Sequence, residues 1–409
     1  MTKISYGRQT IEDEDVNAIV EAVRSGWLTQ GFHIEAFEEA IADYCNAKYA
    51  VACCNGTAAL HLAYIAVGIT GNDAIITSPN TFVATANAAL FINAKPYLSD
   101  IDPDTLNIDP ARIEETILNI DTENINVKAI VPVHFAGLPC DMEAIANIAA
   151  KHNLLIIEDA CHALGSKWQD SSGVWHKVGN CSHSTATVFS FHPVKSITTG
   201  EGGVITTNDK DVYEKLKLYR SHGITKDPDK FGNHDLAYTT NKPNPWYYEM
   251  HELGFNYRIT DLQCALGMSQ IKKIDKFMAR RKEIVLIYNK LLSGYNYFRL
   301  PVMADNVSSS NHLYPVQIDF DELGITKNEW FTRMAQKGIA LQVHYIPIHL
   351  QPYYQRTFGF KEGDFPVAEE YYRKAVSLPI YPLLTDNDLQ YISESMIEIL
   401  ESSGKFSAV

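Results

Sequence analysis

Apolar residues in this chain follow two alternating rhythms, one of helical spacing and one of short continuous runs. From Ile11 to Val23 the residues Ile11, Val16, Ile19, Val20 and Val23 recur at helical spacing, with Thr10 as N-cap and Gly26 past the end. The loop Leu28-Thr29-Gln30-Gly31 precedes a second helix over Ile34 to Tyr44. The run Tyr49 to Cys54 predicts a strand, Asn55-Gly56-Thr57 a turn, and Ala58 to Val67 a helix. Strands at Ala74 to Thr77, Lys95 to Ser99, Ala129 to Val133 and Leu154 to Glu158 then alternate with helices over Phe82 to Ile92 and Met142 to His152. Thr185 to Phe191 reads as a strand that ends in a turn carrying Lys195. A glycine cluster leads from that turn into Val204 to Thr207, so the expectation is an amine presented at a sheet edge.

Regular β-α alternation builds a mainly parallel sheet with helices on both faces, and such sheets bind ligands at the carboxyl ends of their strands. The polar, aromatic-rich segment Gly223 to Glu252 breaks the alternation and is longer than most loops, which marks it as functional or interfacial. One long helix is expected from Thr260 to about Leu292. A smaller α/β unit follows, with strands Leu313 to Phe320 and Ile339 to Val343 and helices Thr326 to Lys337, Val367 to Ala375 and Asp386 to Leu400. A chain of 409 residues exceeds what one core serves. The expected division is a large domain over 1–260 with an N-terminal arm, and a linking helix plus small domain over 261–409.

The formal charge of −14 argues against nucleic acid and anionic membranes as partners. It leaves room for an anionic small ligand at a helix start. No run is long enough to span a bilayer, and Met1-Thr2-Lys3-Ile4-Ser5 opens no signal peptide, so a cytoplasmic protein is expected. The seven cysteines lack CxxC spacing, which favours free buried thiols over a metal site.

Residues that follow predicted strands are the candidates for chemistry. Lys195, desolvated in its turn, can act as a carbonyl-attacking amine, although most lysines are solvated surface charges. Gly56 and Thr57 offer helix-start amides to a phosphate, or form an ordinary N-cap. Ser190 can add a hydroxyl there, or bond to backbone. Asp159 can hold a protonated pyridine nitrogen, or cap a helix over Ala160 to Gly165. Phe82 can lie on a flat ring or belong to the core, and His162 can touch the ring hydroxyl or be a satisfied core histidine. Lysine, acid, phosphate cup and aromatic together point to pyridoxal 5′-phosphate.

Asn55-Gly56-Thr57-Ala58-Ala59-Leu60, Glu158-Asp159-Ala160-Cys161-His162-Ala163-Leu164-Gly165, the Phe189 to Gly203 stretch around Lys195, and Gly254-Phe255-Asn256-Tyr257-Arg258 resemble the DegT/DnrJ/EryC1/StrS sugar aminotransferases over nearly the whole chain. The resemblance implies the aspartate-aminotransferase-like fold (fold type I), a homodimer with shared sites, L-glutamate as amino donor, and pyridoxamine 5′-phosphate as the intermediate form of the cofactor. It makes Lys195 the Schiff-base lysine and Asp159 the pyridine partner. Gly56, Thr57 and Ser190 become the phosphate contacts, Phe82 the stacking residue, and Asn256 a contact to the neighbouring subunit's phosphate. Leu28-Thr29-Gln30-Gly31, Trp246-Tyr247-Tyr248-Glu249 and Gln342-Val343-His344-Tyr345-Ile346-Pro347 resemble the pseudaminic acid branch, which aminates C4 of UDP-2-acetamido-2,6-dideoxy-β-L-arabino-hex-4-ulose. That likeness implies that Tyr6, the loop Gly26, Trp27, Leu28 and Thr29, and Gln342, Val343, His344 and Tyr345 meet the sugar nucleotide. The rivals are a transaminase for another UDP- or dTDP-4-keto sugar, a dehydratase of the family, against which Lys195 argues because those carry histidine there, and a non-catalytic regulator with this fold.

Overall fold

A computed structural model describes residues 3–120 and 125–402; Met1 and Thr2, read above as part of the opening segment, lie outside them. Seven strands form the main sheet: β1 (Tyr49–Cys53), β2 (Asp73–Thr77), β3 (Lys95–Leu98), β4 (Asn126–Val131), β5 (Leu155–Asp159), β6 (Ala186–Ser190) and β7 (Gly203–Thr207), in the order β1-β7-β6-β5-β4-β2-β3. All neighbours pair in parallel except β7, which runs antiparallel to both β1 and β6. Both faces are covered, so inward and outward positions are alike apolar. Ala50 and Ala52 of β1 pack with Phe37, Ile41 and Phe189 on one side, and Val51 and Cys53 pack with Leu62, Ile157 and Ile205 on the other.

Helices α1 (Asp13–Arg24), α2 (Phe32–Cys45), α3 (Gly56–Ala66) and α4 (Ala84–Leu90) precede or cross the first strands. The apolar stripe of α1 is a finding in itself: Val16, Val20 and Val23 face outward, while Asp15 on the other side is fully buried. Asp15 accepts from Gln270 Nε2 at 2.8 Å and pairs with Lys273 Nζ at 2.6 Å.

Three expectations are corrected. The long helix is two, α5 (Asp261–Ile271) and α6 (Ile274–Leu292), because Lys273 turns out of the helical path, its amide reaching Gln270 O at 3.0 Å and its ammonium reaching Asp15. Ile339 to Val343 is no strand: Ile339 bridges to Ile4 and Gln342 bridges to Ser377, so the segment changes partner before a ladder forms. Lys195 does not stand at a lateral sheet edge. Its strand β6 is paired on both sides, and the lysine follows that strand's carboxyl end.

Beyond α6, a three-stranded antiparallel sheet of Phe298–Arg299, Tyr314–Ile318 and Ala375–Leu378 carries a second core around Trp330, Val316, Ile392 and Met396. Ile4 belongs to this second core, which sets the course of the N-terminal segment and of Tyr6. Residues 223–252 fold into short hairpins around Glu249, whose carboxylate accepts from the amides of Gly232 (2.8 Å) and Asn233 (2.7 Å) and from the Tyr247 hydroxyl (2.9 Å). Trp246 stays exposed on that segment. Among the described residues no helix is long and apolar enough to cross a membrane, and no group of three or more His, Cys, Asp or Glu is arranged to hold a metal ion.

Candidate active site

The carboxyl ends of β1, β2, β5 and β6 open into a cavity of about 660 Å³, closed on the far side by the segment from Gln342 to Ile346. That segment is held from both halves of the molecule. Ser377 N donates to Gln342 O (2.8 Å), Tyr371 OH donates to His344 O (2.6 Å), and Tyr345 N donates to Asn80 Oδ1 (3.3 Å).

Asn55 caps α3, its Oδ1 accepting from Ala58 N at 2.8 Å, and the next two residues, Gly56 and Thr57, line the cavity beside Ser190. A Cβ at Gly56 would stand 2.9 Å from Ser190 Cβ and 3.4 Å from Cys161 Sγ, so the helix start and the end of β6 approach too closely for any side chain. At Gly203, opposite Ser190 in the ladder, a Cβ would stand 2.5 Å from Asn55 O.

Lys195 is placed by a short turn after β6, its amide donating to His192 O at 2.9 Å. Burial lowers its amine below the ordinary lysine value, although Cys161 and Asp159 oppose the shift. Asp159 ends β5 and is 5% exposed; its Oδ1 accepts from Cys161 N (3.1 Å) and its Oδ2 from Thr85 Oγ1 (2.6 Å). No helix follows it, which removes the helix-cap reading. Glu158, on the other face, accepts from the hydroxyls of Ser184 and Thr187 and from His134 Nε2. His134 Nδ1 accepts the Cys140 amide at 3.0 Å, which leaves its proton on Nε2.

His162 lies under the cavity with Nε2 3.0 Å from Tyr345 OH and Nδ1 buried without a partner. Burial, then the Lys195 charge, holds it well below the ordinary imidazole range, so the ring is neutral. Burial and Lys195 likewise push His344 down to about 4. Phe82 is no core residue: it is 58% exposed, with its ring 6.2 Å from that of Tyr345.

Gly56, Thr57, Phe82, Asp159, His162, Ser190, Lys195, Tyr6, Gln342, Val343, His344 and Tyr345 therefore share one cavity. Asn256 and the loop Gly26 to Thr29 do not line it. Asn256 Oδ1 accepts from Arg258 Nε at 3.1 Å, and the loop is tied to the start of α5 through Thr29 and Leu28 O. Sequence reasoning missed Thr85, Glu201, His192 and His312, all of which line the cavity. The spacing of Thr81 and Thr85, one helical turn apart beside Phe82, was the available signal for Thr85.

Residues 9–397 match the model of the DegT/DnrJ/EryC1/StrS aminotransferase family. The spore coat polysaccharide biosynthesis protein SpsC of Bacillus subtilis is 37% identical over 98% of each chain. A UDP-4-amino-4,6-dideoxy-N-acetyl-beta-L-altrosamine transaminase of Campylobacter jejuni is 37% identical over 98% of this chain and 99% of its own. Among solved structures, Helicobacter pylori PseC, an aminotransferase involved in the biosynthesis of pseudoaminic acid, superposes with a TM-score of 0.87 at 34% identity, over 98% of this chain and 100% of its own. A candidate sugar aminotransferase of Streptococcus pneumoniae in its PLP-form gives 0.85 at 26% identity, over 98% and 99%. The chain belongs to the DegT/DnrJ/EryC1/StrS aminotransferase family, PLP-dependent sugar aminotransferases of the α/β, aspartate-aminotransferase-like fold.

Proposed function

We propose that this chain moves an amino group from L-glutamate to C4 of a UDP-linked 4-keto-6-deoxy sugar, UDP-2-acetamido-2,6-dideoxy-β-L-arabino-hex-4-ulose, in pseudaminic acid synthesis. The observation that carries the reading is one cavity holding a desolvated lysine, a buried carboxylate and a helix start stripped of its first side chain. The names of the Campylobacter and Helicobacter relatives support the choice of sugar.

The residues present fit pyridoxal 5′-phosphate. The amides of Gly56 and Thr57 at the start of α3, with the Ser190 hydroxyl, would hold its phosphate, since a helix N-terminus favours an anion. Asp159 would hold the ring nitrogen, Phe82 would cover a ring face, and the neutral His162 would lie on the side of the ring hydroxyl. When bound, the cofactor supplies an aldehyde that takes up amines and a protonated ring that draws electrons from the adjoining carbon.

Among the described residues Lys195 is the one lysine lining the cavity, so covalent attachment and the movement of a proton both fall to its Nζ. Burial lowers the pKa of that amine and so favours the unprotonated form that both tasks require. The Asp159 carboxylate would accept a hydrogen bond from the ring nitrogen and so favour its protonated form. Tyr6, Gln342, Val343, His344 and Tyr345 form the wall toward the sugar nucleotide. Asn256 and the Gly26 to Thr29 loop serve the cavity of a second copy, for which the outward Val16, Val20 and Val23 supply an apolar contact.

The test is direct. Borohydride reduction after supply of pyridoxal 5′-phosphate should label Lys195, and Lys195→Ala should abolish turnover. Pyridoxamine-loaded protein is then offered a panel of UDP- and dTDP-4-keto sugars, and the one that restores the aldehyde absorption is the substrate. Conversion of a different sugar corrects the substrate; protein that stays colourless and unlabelled at Lys195 overturns the reading.

A further inference from the structure

Asp159 is held by a chain of hydroxyls that the reaction scheme leaves unused. Thr85, fully buried on the first turn of α4, donates from Oγ1 to Asp159 Oδ2 at 2.6 Å, and its oxygen lies 2.8 Å from Thr81 Oγ1. A hydroxyl has one proton to give and an ionised carboxylate has none. The direction follows: Thr81 donates to Thr85, and Thr85 donates to Asp159. The competing acceptor for the Thr85 proton, Phe82 O, is neutral and 3.3 Å away, and a charge-assisted bond at the shorter distance wins. The Asp159 backbone is fixed as well, its amide donating to Pro132 O (2.9 Å) and its carbonyl accepting from His134 N (3.1 Å).

We propose that Thr85 is a positioning residue for Asp159 and that Thr81 orients it. The relay fixes the orientation of the carboxylate and turns its free lone pairs toward the cavity, where they would meet the ring nitrogen of the cofactor. This rests on the assignment of Asp159 made above. The titratable groups that sense the same charge are Lys195 after β6, Cys161 in the turn after β5, Tyr64 on α3 and Tyr345 on the far wall, and all four stay intact in the variants that follow.

The experiment uses protein reconstituted with pyridoxal 5′-phosphate carrying ¹⁵N at the ring nitrogen. Thr85→Val keeps the shape and removes the donor, Thr85→Ser returns it, and Asp159→Asn tests the underlying assignment. In the unaltered protein the ¹⁵N resonance is expected at the protonated position. Thr85→Val should move it toward the unprotonated position and weaken cofactor retention on the order of tenfold, and Thr85→Ser should restore both. If Thr85→Val behaves as the unaltered protein while Asp159→Asn is displaced, the role of Thr85 is wrong and Asp159 remains the ring partner. If Asp159→Asn shows no displacement, the Asp159 assignment itself fails and the relay with it. Should Thr85→Val not fold, Thr81→Val, which loosens the Thr85 hydroxyl, should give a smaller displacement of the same sign; none would overturn the relay.

Discussion

Adding one methyl group at Gly56 tests how tightly the proposed phosphate end of the cavity is built. The backbone at this first helical residue needs no glycine for its conformation; what excludes a side chain is Ser190, whose Cβ would lie 2.9 Å from the new carbon. Carbon atoms rest at about 3.5 to 4.0 Å, so the end of β6 and the start of α3 must separate by roughly 0.6 Å or more. Overpacking of this kind costs about 1 to 3 kcal/mol of stability. Function should suffer more than folding, because Ser190 Oγ, 3.2 Å from the added carbon, is displaced from the proposed phosphate position. Loss of one hydrogen bond to a charged group, about 1.5 to 3 kcal/mol, weakens cofactor binding roughly 10- to 100-fold. Fluorescence titration of Gly56→Ala apoprotein with pyridoxal 5′-phosphate reads the affinity, and calorimetry of the same apoprotein reads the stability. Gly56→Ala/Ser190→Gly removes the obstructing Cβ, so it should regain the stability and leave the affinity low. Wild-type affinity in Gly56→Ala would refute the argument, since the two elements would then have room that their geometry denies them.

The neutral amine of Lys195 is the reactive form, and burial lowers its pKa below the ordinary value of about 10.4. Covalent capture of the cofactor by apoprotein, trapped with borohydride, should therefore level off below that pH and fall tenfold per unit on the acid side; a rate that climbs until about pH 10.4 would contradict the desolvation. Burial raises the Glu158 carboxyl, but the donors His134, Ser184 and Thr187 outweigh it and hold the folded value below the ordinary one. Its stabilisation is thus full above the unfolded value near 4.3 and fades as pH falls through the lower folded value. Glu158→Gln should cost about 2 to 3 kcal/mol in denaturant melts at neutral pH and flatten the acid limb of the stability curve; an unchanged limb would count against this. Val20→Asp places a charge on the outward stripe of α1 and, on the proposed contact with a second copy, should shift sedimentation toward the monomer with the far-ultraviolet dichroism unchanged, whereas a retained dimer would remove α1 from the proposed interface.

The sequence carried the sheet because most of its strands are buried on two faces and read as short apolar runs, with Asn55 and Lys195 in the turns that follow two of them and Asp159 at the end of a third. Covalent neighbourhood decided those positions. It could not show that the apolar stripe of α1 turns away from its own core. Spacing reveals that a stripe exists, while its direction depends on what lies opposite, here the buried pairing of Asp15 with Lys273 and Gln270. The break between α5 and α6 is a second such case, since no proline or glycine marks it and it falls at Lys273, whose ammonium pairs with Asp15 across the fold.

By itself, then, the order of residues determined the α/β sheet, the residue types at the ends of its strands and the family. Only the tertiary structure decided that Thr85 meets Asp159 across 74 positions of chain, that His162 meets Tyr345 across 183, and that Ile4 joins the second core. Local propensity acts over a few residues, whereas hydrogen bonds and packing between distant segments exist only once the chain has folded back on itself.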